Sequence, residues 1–443
     1  MLNLKSKKIF LSLIIILSLL IVNLTFLFRF ISNNPLNITK DYYGYEATNQ
    51  SINLFKIIFS NFLFKIPFFD LIIPSIFLIL SLILFSKILL IITKDEYEYY
   101  FSLILLSTLP MFILIHTGLT KMSFLLLLVL FIFYNYLKEN NITFFSLIML
   151  TTLFFPIITL FLIFPLLIFK PKNKELFLGS SISYIVPIFV ILILNLSSDI
   201  AIFNTINSLS LFSFFGSSSG YSLIILIFGF LGLYDSSFLK DYKFQCILIF
   251  LYFIISLFNE YLRIIVALVF VFLSAKYLKK IIFEKWDLDI LKYLTIILIC
   301  CIIFFSISTT IQDNLIKYPN QNQVEALTFL KDIKDGLNQN YILTNQKYDF
   351  FIEYYSDLKP FNNQNSDNQK IANSIFYSRK YIEIKDLMIQ NKISYILIDE
   401  KMKSGEIWPN DQEDLLFVIK YNNNFQKIYD KNNIQIYFFE VLN

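Results

Sequence analysis

The chain has 443 residues, of which 56% are hydrophobic and only 16% are charged, and its formal net charge is +4. This composition excludes an ordinary soluble globular protein and is typical of a polytopic membrane protein. The small net charge carries no nucleic-acid signature. All three cysteines lie in apolar segments, so no disulfide framework stabilises the polar C-terminal part.

The N-terminal stretch has three lysines and then an apolar run from Ile9 to about Phe30. This run is longer than a signal-peptide core, and no small-residue cleavage site follows it, which predicts a retained transmembrane helix with a cytoplasmic N-terminus. Segments of about 20 apolar residues predict about eleven spans in all. The predicted spans are 9–31, 70–92, 100–116, 121–137, 142–155, 157–170, 176–195, 221–237, 244–258, 263–278 and 290–310.

The fifth and sixth spans are ambiguous in the sequence, because Pro156 and Pro165 interrupt the stretch. One long broken helix and two short helices are both compatible with it. Lysines flank the stretch on both sides, which favours two spans and a return to the cytoplasm. Lysine is also frequent in the other proposed cytoplasmic segments. An odd number of spans then places the C-terminal part outside, as expected for a multi-pass protein of the plasma membrane.

The first outer loop, residues 32–69, contains an acidic and aromatic stretch from Asn37 to Glu46. Asp41 and Glu46 are its carboxylates, and Tyr45 is one of its three tyrosines. Such a cluster beside a membrane boundary indicates a functional site in so apolar a chain. The following stretch, 49–65, has polar residues at helical spacing, which predicts an amphipathic helix lying in the membrane interface.

Residues 311–443 are polar and rich in asparagine, and they alternate between helical and strand patterns. This stretch is long enough to bury a core of its own. The predicted fold is therefore an α-helical polytopic membrane protein with a small C-terminal extracytoplasmic α/β domain. The predicted elements are a helix over 324–333, a strand over 341–344, one or two helices over 374–390, a strand over 394–399, a helix over 414–419, and a hairpin of 425–429 with 434–439.

This layout resembles the GT-C superfamily of membrane glycosyltransferases, which includes protein O-mannosyltransferases, aminoarabinose transferases and the catalytic subunits of oligosaccharyltransferases. In that family a cytoplasmic N-terminus precedes one helix and an outer loop that opens with an acidic motif, here Asp41. Family members often have two adjacent acids, whereas Tyr42 follows Asp41 in this chain. Asn259-Glu-Tyr-Leu-Arg263 resembles the segment that begins a late helix in several family mannosyltransferases.

The resemblance implies that residues 1–310 form a transmembrane catalytic domain and that 311–443 form an outer domain. It implies transfer of a sugar from a polyprenyl-phosphate donor to a protein, lipid or glycan acceptor. Asp41 would be the general base, because a carboxylate can accept the proton of an acceptor hydroxyl; alternatively, it caps a helix. Glu46 would be a second acid, a metal ligand or a loop charge. Tyr45 would stack on a sugar or belong to the aromatic belt of the membrane interface.

Arg263 would hold the donor phosphate, because a guanidinium binds phosphate through two parallel hydrogen bonds. The alternative is a membrane anchor or an ion pair with Glu260. Lys121 is a second candidate cation, at the outer end of the fourth span. His116, the one histidine, lies at the outer end of the third span and would line the pocket or have a structural role.

No cofactor is expected from the sequence. A single histidine makes a histidine-based zinc site implausible, and a divalent ion on Asp41 and Glu46 remains possible, although metal-independent transfer is favoured. Three other functions stay open: an envelope polysaccharide polymerase or ligase, a transporter or flippase, and a structural envelope protein. The absence of a phosphate-binding loop and of internal repeats argues against an ATP-driven pump or a repeat-built transporter.

Overall fold

The chain is represented by a computed structural model, and the helices and strands below belong to its described residues. These residues fall into two compact units, one ending at Leu315 and the other beginning at Ile316 and including the end of the first helix from Arg29. The described residues are 4–34, 69–93, 95–118, 120–155, 159, 162, 221–234, 243–257, 259–284, 286, 289–317, 319–333, 341–345, 348–361, 366–410 and 413–440.

The first unit is helical throughout its described part. Its helices are α1 (Leu4–Ile31), α2 (Phe69–Ile92), α3 (Glu96–Ser107), α4 (Pro110–His116), α5 (Lys121–Leu137), α6 (Asn141–Phe154), α7 (Leu223–Tyr234), α8 (Lys243–Ser256), α9 (Glu260–Phe283) and α10 (Asp289–Lys317).

Four of the described helices, α1, α2, α9 and α10, are long and apolar enough to cross a membrane. A fifth span forms if α3 and α4 are counted together, although they meet at an angle of 55°. The sequence predicts one continuous span there, and the break comes just before Pro110, where the proline disfavours helical geometry in the preceding residue. The helices α5, α6, α7 and α8 are apolar but shorter.

The predicted span over 176–195 and the interfacial helix over 49–65 lie outside the described residues, as does the predicted span over 157–170 apart from Thr159 and Leu162. The total of eleven spans and the side on which each loop lies stay predictions, as does the division into domains at residue 310. The described helices begin and end within a few residues of the corresponding predicted spans, except α1, α9 and α10, which extend beyond them by five to seven residues at one end.

In the described part of the first unit, α7 and α9 approach each other closely at two glycines. A side-chain carbon at Gly232 would lie 2.5 Å from the backbone oxygen of Leu273, and one at Gly229 would lie 2.2 Å from the Phe270 ring. Ser274 on α9 donates a hydrogen bond to the Ile225 carbonyl on α7 at 2.8 Å. Small residues that let two backbones approach are a common basis of helix association in membranes.

The second unit contains a mixed five-stranded sheet covered by helices on both faces. Its elements are α11 (Gln321–Ile333), β1 (Tyr341–Leu343), α12 (Asp349–Ser356), β2 (Lys359–Pro360), α13 (Ser366–Tyr377), α14 (Tyr381–Gln390), β3 (Ile393–Ile398), a helical turn (Met402–Glu406), α15 (Asp414–Tyr421), β4 (Phe425–Lys431) and β5 (Ile434–Phe439).

The strand order is β2-β1-β3-β5-β4, with parallel pairing among β2, β1 and β3 and antiparallel pairing among β3, β5 and β4. Alternate residues of β3 enter two separate cores: Ile396 packs toward the α13, α14 and α15 side, and Leu397 packs toward α11 and α12. The fully buried Trp408 anchors the first core and donates a hydrogen bond to the Phe376 carbonyl at 2.9 Å.

The predicted helices and strands of the C-terminal part are present in this unit, and the stretch 374–390 belongs to two helices, α13 and α14. The predicted hairpin is also present. Its loop consists of Asn432 and Asn433, whose φ angles are 53° and 61°. Both residues are therefore left-handed, as a two-residue hairpin turn with the twist of its strands requires, and asparagine tolerates this conformation.

Asp349 in this unit is expected to make the stability of the folded state depend strongly on pH. Asp349, in the first turn of α12, is only 3% exposed, and its Oδ1 atom has no hydrogen-bond partner among the described residues. Burial raises the pKa of this carboxyl from 3.8 to about 8. The unfolded chain releases this proton near pH 4 and the folded chain retains it to about pH 8, so this group makes the folded state less stable as pH rises across that range.

We therefore expect Asp349→Asn to raise the melting temperature at pH 7 to 8 and to change it little near pH 4. The substitution removes a pH dependence of about 1.4 kcal/mol per pH unit from the free energy of unfolding. The measurement is thermal unfolding of the full protein carrying Trp286→Phe, so that the emission of Trp408 reports on this unit. The exposed Asp332→Asn is the matched control. Parallel pH profiles for Asp349→Asn and its parent would contradict the assignment.

Candidate functional site

Three of the residues predicted for the site, Asp41, Tyr45 and Glu46, lie outside the described residues. Their predicted roles as base, sugar contact and second acid stay predictions. The described part of the site is the start of α9, where Arg263 lies, together with the elements packed around it.

The start of α9 is held by the side chain of Asn259, whose Oδ1 accepts hydrogen bonds from the backbone amides of Tyr261 and Leu262 at 2.9 and 3.1 Å. This cap places Arg263 in the first turn of the helix, where its amide donates to the Asn259 carbonyl at 3.3 Å. The cap explains why the segment Asn259–Arg263 begins a helix.

Arg263 is buried, with 8% of its surface exposed. An arginine inside an apolar helical unit is expensive, and such residues usually contact a partner or mark a functional position. Its charge acts on Tyr221, which is fully buried two residues before the start of α7. This electrostatic interaction therefore joins two residues that are 42 positions apart in the sequence.

Tyr221 is also joined to α8. Its hydroxyl lies 2.9 Å from Oγ of Ser256, and the Ser256 hydroxyl donates to the Phe253 carbonyl at 2.6 Å. Because the serine has one proton and uses it on that carbonyl, the tyrosine is the donor to the serine. Arg263 is thus a buried cation in an apolar environment, and Tyr221 lies within range of its charge.

Sequence reasoning missed Tyr221 and Ser256 as members of this group. The available signal was weak: Tyr221 directly follows the glycine- and serine-rich segment 216–220, and Ser256 is a polar residue near the end of an apolar span. Neither observation connects the two residues with Arg263, because that contact depends on how α7, α8 and α9 pack together.

Glu260 is the first residue of α9. An acid at a helix N-terminus is stabilised by the helix dipole, which gives this residue a role that requires no contact with Arg263. The predicted ion pair between Glu260 and Arg263 involves a side chain outside the described atoms and stays a prediction.

Lys121 is the first residue of α5, directly after Thr120, whose hydroxyl oxygen accepts a hydrogen bond from the Ser123 amide at 3.1 Å. The positive end of the helix dipole disfavours a cation at this position. Helix stability therefore does not explain why a lysine occupies this position. Its predicted role as a second cation stays a prediction.

His116 is fully buried at the end of α4. Its Nδ1 lies 2.8 Å from the Phe112 carbonyl, and its ring lies 4.5 Å from the Phe112 ring, so both contacts are one helical turn away. Among the described residues, no hydrogen bond or ring contact joins His116 to the Arg263 group. These contacts favour the structural interpretation of His116 over the pocket-lining one.

A metal site was one alternative for the acidic stretch. Within the described ranges, no cluster of three or more histidine, cysteine, aspartate or glutamate side chains is arranged to hold a metal ion. Asp41 and Glu46 are not among those residues, so a divalent ion at that position stays untested.

No known protein-family model matches the chain, and no curated protein sequence matches it. Solved structures do match its fold. The apo form of the Archaeoglobus fulgidus oligosaccharyltransferase is 12% identical, with a TM-score of 0.54 over 94% of this chain and 73% of that one.

The archaeal oligosaccharyltransferase AglB from the same organism, in complex with an inhibitory peptide and a dolichol-phosphate, is 14% identical, with a TM-score of 0.49. That match covers 83% of this chain, which spans 62% of the length of AglB. The match to the apo enzyme extends over nearly the whole chain. The fold of this chain is therefore similar to that of an oligosaccharyltransferase, which is one of the kinds of protein that its sequence layout resembles.

Proposed function

We propose that this chain is an integral membrane glycosyltransferase that takes a sugar from a polyprenyl-phosphate donor and transfers it to a protein, lipid or glycan acceptor on the outer face of the membrane. The observation that carries the proposal is the oligosaccharyltransferase-like fold over 94% of the chain. The buried Arg263 supports it, because a cation fixed beside the start of a late membrane helix suits a lipid-linked phosphate.

In the proposed reaction, the acceptor hydroxyl attacks the anomeric carbon of the donor sugar. The bond from that carbon to the phosphate oxygen breaks, and polyprenyl phosphate leaves with the electron pair. The Asp41 carboxylate takes the proton of the acceptor hydroxyl. Arg263 stabilises the negative charge that grows on the departing phosphate. A single displacement of this kind inverts the configuration of the sugar.

Arg263 is suited to this role because its environment is apolar and already organised. A donor aimed at developing charge is worth more where water is excluded, since it needs no reorganisation during the reaction. Tyr221, Ser256 and the Asn259 cap hold the surrounding elements together before any substrate arrives. The polyprenyl chain would remain in the bilayer, so the transfer takes place where lipid and water meet.

The test compares the host strain with a strain that lacks this protein, using mass spectrometry of surface glycans, glycoproteins and glycolipids. The expected result is the loss of one sugar or one glycan from one class of acceptor. The purified protein in nanodiscs should then release polyprenyl phosphate from the lipid-linked sugars of the same host only when the acceptor is present.

Three outcomes would favour the other functions. A change in polymer length without loss of any sugar would indicate a polysaccharide polymerase or ligase. Movement of lipid-linked sugar across a vesicle membrane, without sugar transfer, would indicate a flippase. Identical glycans in the two strains would overturn the proposal and leave a structural envelope protein as the explanation.

A further inference from the structure

The helices α2 and α5 of the first unit lie side by side and run in the same direction. Phe77, in the first half of α2, contacts Phe124, in the first half of α5, with ring centroids 6.0 Å apart. Further along the same two helices, Nζ of Lys87 on α2 lies 5.6 Å from the centroid of the Tyr134 ring on α5. The ends of the two helices therefore lie next to each other.

The end of α9 lies at the same end of the unit. Lys279, near the end of α9, forms a salt bridge at 2.7 Å with Asp95, which caps α3 shortly after the end of α2. Arg263, in the first turn of α9, is about 24 Å from Lys279 along the helix axis. The shared end of α2, α5 and α9 is therefore remote from the proposed phosphate site, and its lysines predict that it is cytoplasmic.

An apolar cavity that is partly open to its surroundings lies between these three helices. All of the residues that line it are hydrophobic, and α2 contributes its last two turns. Members of the lining include Phe85 and Leu89 on α2, Leu130 and Phe133 on α5, and Leu268 and Phe272 on α9. Water finds no hydrogen-bond partner on such a wall, so the cavity suits an aliphatic chain better than water.

Two cations lie beside this cavity and converge on one aromatic ring. Nζ of Lys138, the residue that directly follows α5, lies 5.1 Å from the centroid of the Tyr134 ring that Lys87 also contacts. Tyr134 directly follows Phe133 of the cavity wall, and Lys87 directly precedes Ile88 of the same wall. The two helices that form the cavity thus also carry the two cations.

Neither cation is neutralised by an acid in the part of the chain that the structure describes. The salt bridges there involve other lysines and one arginine. Glu139 directly follows Lys138, but its side chain is exposed and forms no ion pair with Lys138 or Lys87. The face of the Tyr134 ring attracts both ammonium groups, but the two like charges repel each other. An anion between them would remove that repulsion.

The depth of these groups matches the two parts of a lipid molecule. Lys87 lies five residues before the end of α2, which is about 8 Å along the helix axis. A lysine at this depth extends its side chain to the level of the lipid headgroups. Such extension alone would explain a single lysine, but it does not require two lysines to share one ring beside an apolar cavity.

We propose that the cavity between α2, α5 and α9 binds one anionic phospholipid of the surrounding membrane. The lipid phosphate lies between Lys87 and Lys138, and one aliphatic chain enters the cavity. Basic pockets between membrane helices bind anionic headgroups in this way. The inference goes beyond the proposed transferase function and does not rest on it, because neither lysine belongs to the candidate site.

The first test measures how tightly the first lipid binds. The full protein in detergent is titrated with phosphatidylglycerol, and bound lipids are counted by native mass spectrometry. We expect Lys87→Gln and Lys138→Gln each to raise the dissociation constant of the first lipid about fivefold, and the double variant about 25-fold. Phosphatidylcholine, whose headgroup has no net charge, should bind the wild-type protein at least about fivefold more weakly than phosphatidylglycerol.

The control is the double variant Lys8→Gln with Lys280→Gln, which removes two exposed lysines at the same end of the unit. Lys8 lies there because Phe10 on α1 contacts Tyr100 on α3, with ring centroids 4.4 Å apart. This control should bind the first phosphatidylglycerol within about twofold of the wild-type protein, since neither lysine lies in the pair around the Tyr134 ring.

The second test concerns the aliphatic chain. Val269 on α9 lines the cavity, so Val269→Phe narrows it and leaves both lysines in place. We expect the first phosphatidylglycerol to bind at least about fivefold more weakly, because its chain buries less apolar surface. Val269→Leu, a smaller change, should have a smaller effect, and an unchanged melting temperature without lipid shows that each variant is folded. Glycerol phosphate, which has no chain, should displace little of the bound lipid.

Several results would overturn the site. Equal dissociation constants for the wild-type protein and the Lys87→Gln, Lys138→Gln double variant would do so, as would an equal loss in the control. In the second case the lysines would act only as general surface charge. Wild-type affinity in folded Val269→Phe protein, or displacement of the lipid by glycerol phosphate, would show that no chain occupies the cavity. None of these measurements requires sugar transfer, so they are independent of the proposed function.

Discussion

Replacing Asp41 with asparagine is expected to slow sugar transfer by at least about a hundredfold while leaving the amount of protein in the membrane unchanged. Asparagine has nearly the same shape as aspartate but cannot accept the proton of an acceptor hydroxyl. Loss of a general base lowers the rate by about a hundredfold to ten-thousandfold. The measurement is single-turnover transfer by purified protein, together with the glycan profile of cells that carry the variant.

The matched control is Asp332→Asn, which makes the same change at an exposed acid on α11. It should transfer sugar at the wild-type rate. Glu46→Gln tests the second carboxylate, and a smaller loss than that of Asp41→Asn would rank the two acids. A wild-type glycan profile for Asp41→Asn, in cells where deletion of the protein alters that profile, would remove Asp41 as the base.

The second large effect is expected from Arg263→Ala, which should lower kcat/KM for the lipid-linked donor by about a hundredfold to a thousandfold. The guanidinium is the cation proposed to stabilise charge on the leaving phosphate, and loss of one such donor in a water-excluded site typically costs this much. Arg263→Lys should recover only part of the activity, because a lysine retains the charge but loses the two parallel hydrogen bonds.

The control for Arg263 is Arg379→Ala, which removes an exposed arginine that pairs with Asp414 at 3.4 Å. It should leave the transfer rate unchanged. Tyr221→Phe separates packing from charge, because it removes the hydroxyl that bonds to Ser256 and keeps the ring; we expect a smaller loss than for Arg263→Ala. If folded Arg263→Ala protein retains both kcat and KM, Arg263 is a structural anchor and the phosphate site lies elsewhere.

The spans and strands were the most predictable part of this protein. The start and end of a membrane helix depend on a local run of apolar residues, and the predicted span over 121–137 has the same bounds as α5. The hairpin was predictable because Asn432 and Asn433 favour the conformation that its loop requires. The short elements α12 and β2 were not predicted. A two-residue strand that contains Pro360 has no periodic pattern from which to predict it.

The site was only partly predictable. Arg263 was predicted from a motif resemblance and from the rule that charges near membrane helices tend to be functional, and that prediction stays untested. The bond between Tyr221 and Ser256 was not predicted. His116 was a candidate site residue because it is the one histidine of the chain. In the structure, its ring contacts Phe112 in its own helix. Residue type indicates which side chains can take part in catalysis or binding. Tertiary packing decides which of them lie close together.

The sequence by itself determined the membrane class of this protein, most of its described helices and the strands of its α/β unit, because each depends on hydrophobic and turn patterns over a few neighbouring residues. Only the tertiary structure decided that Arg29 and Asn34 bond to the start of α11, and that Tyr221 lies within range of the charge of Arg263. Those contacts join residues that are tens to hundreds of positions apart. They depend on helix packing angles and strand order, which no local pattern encodes.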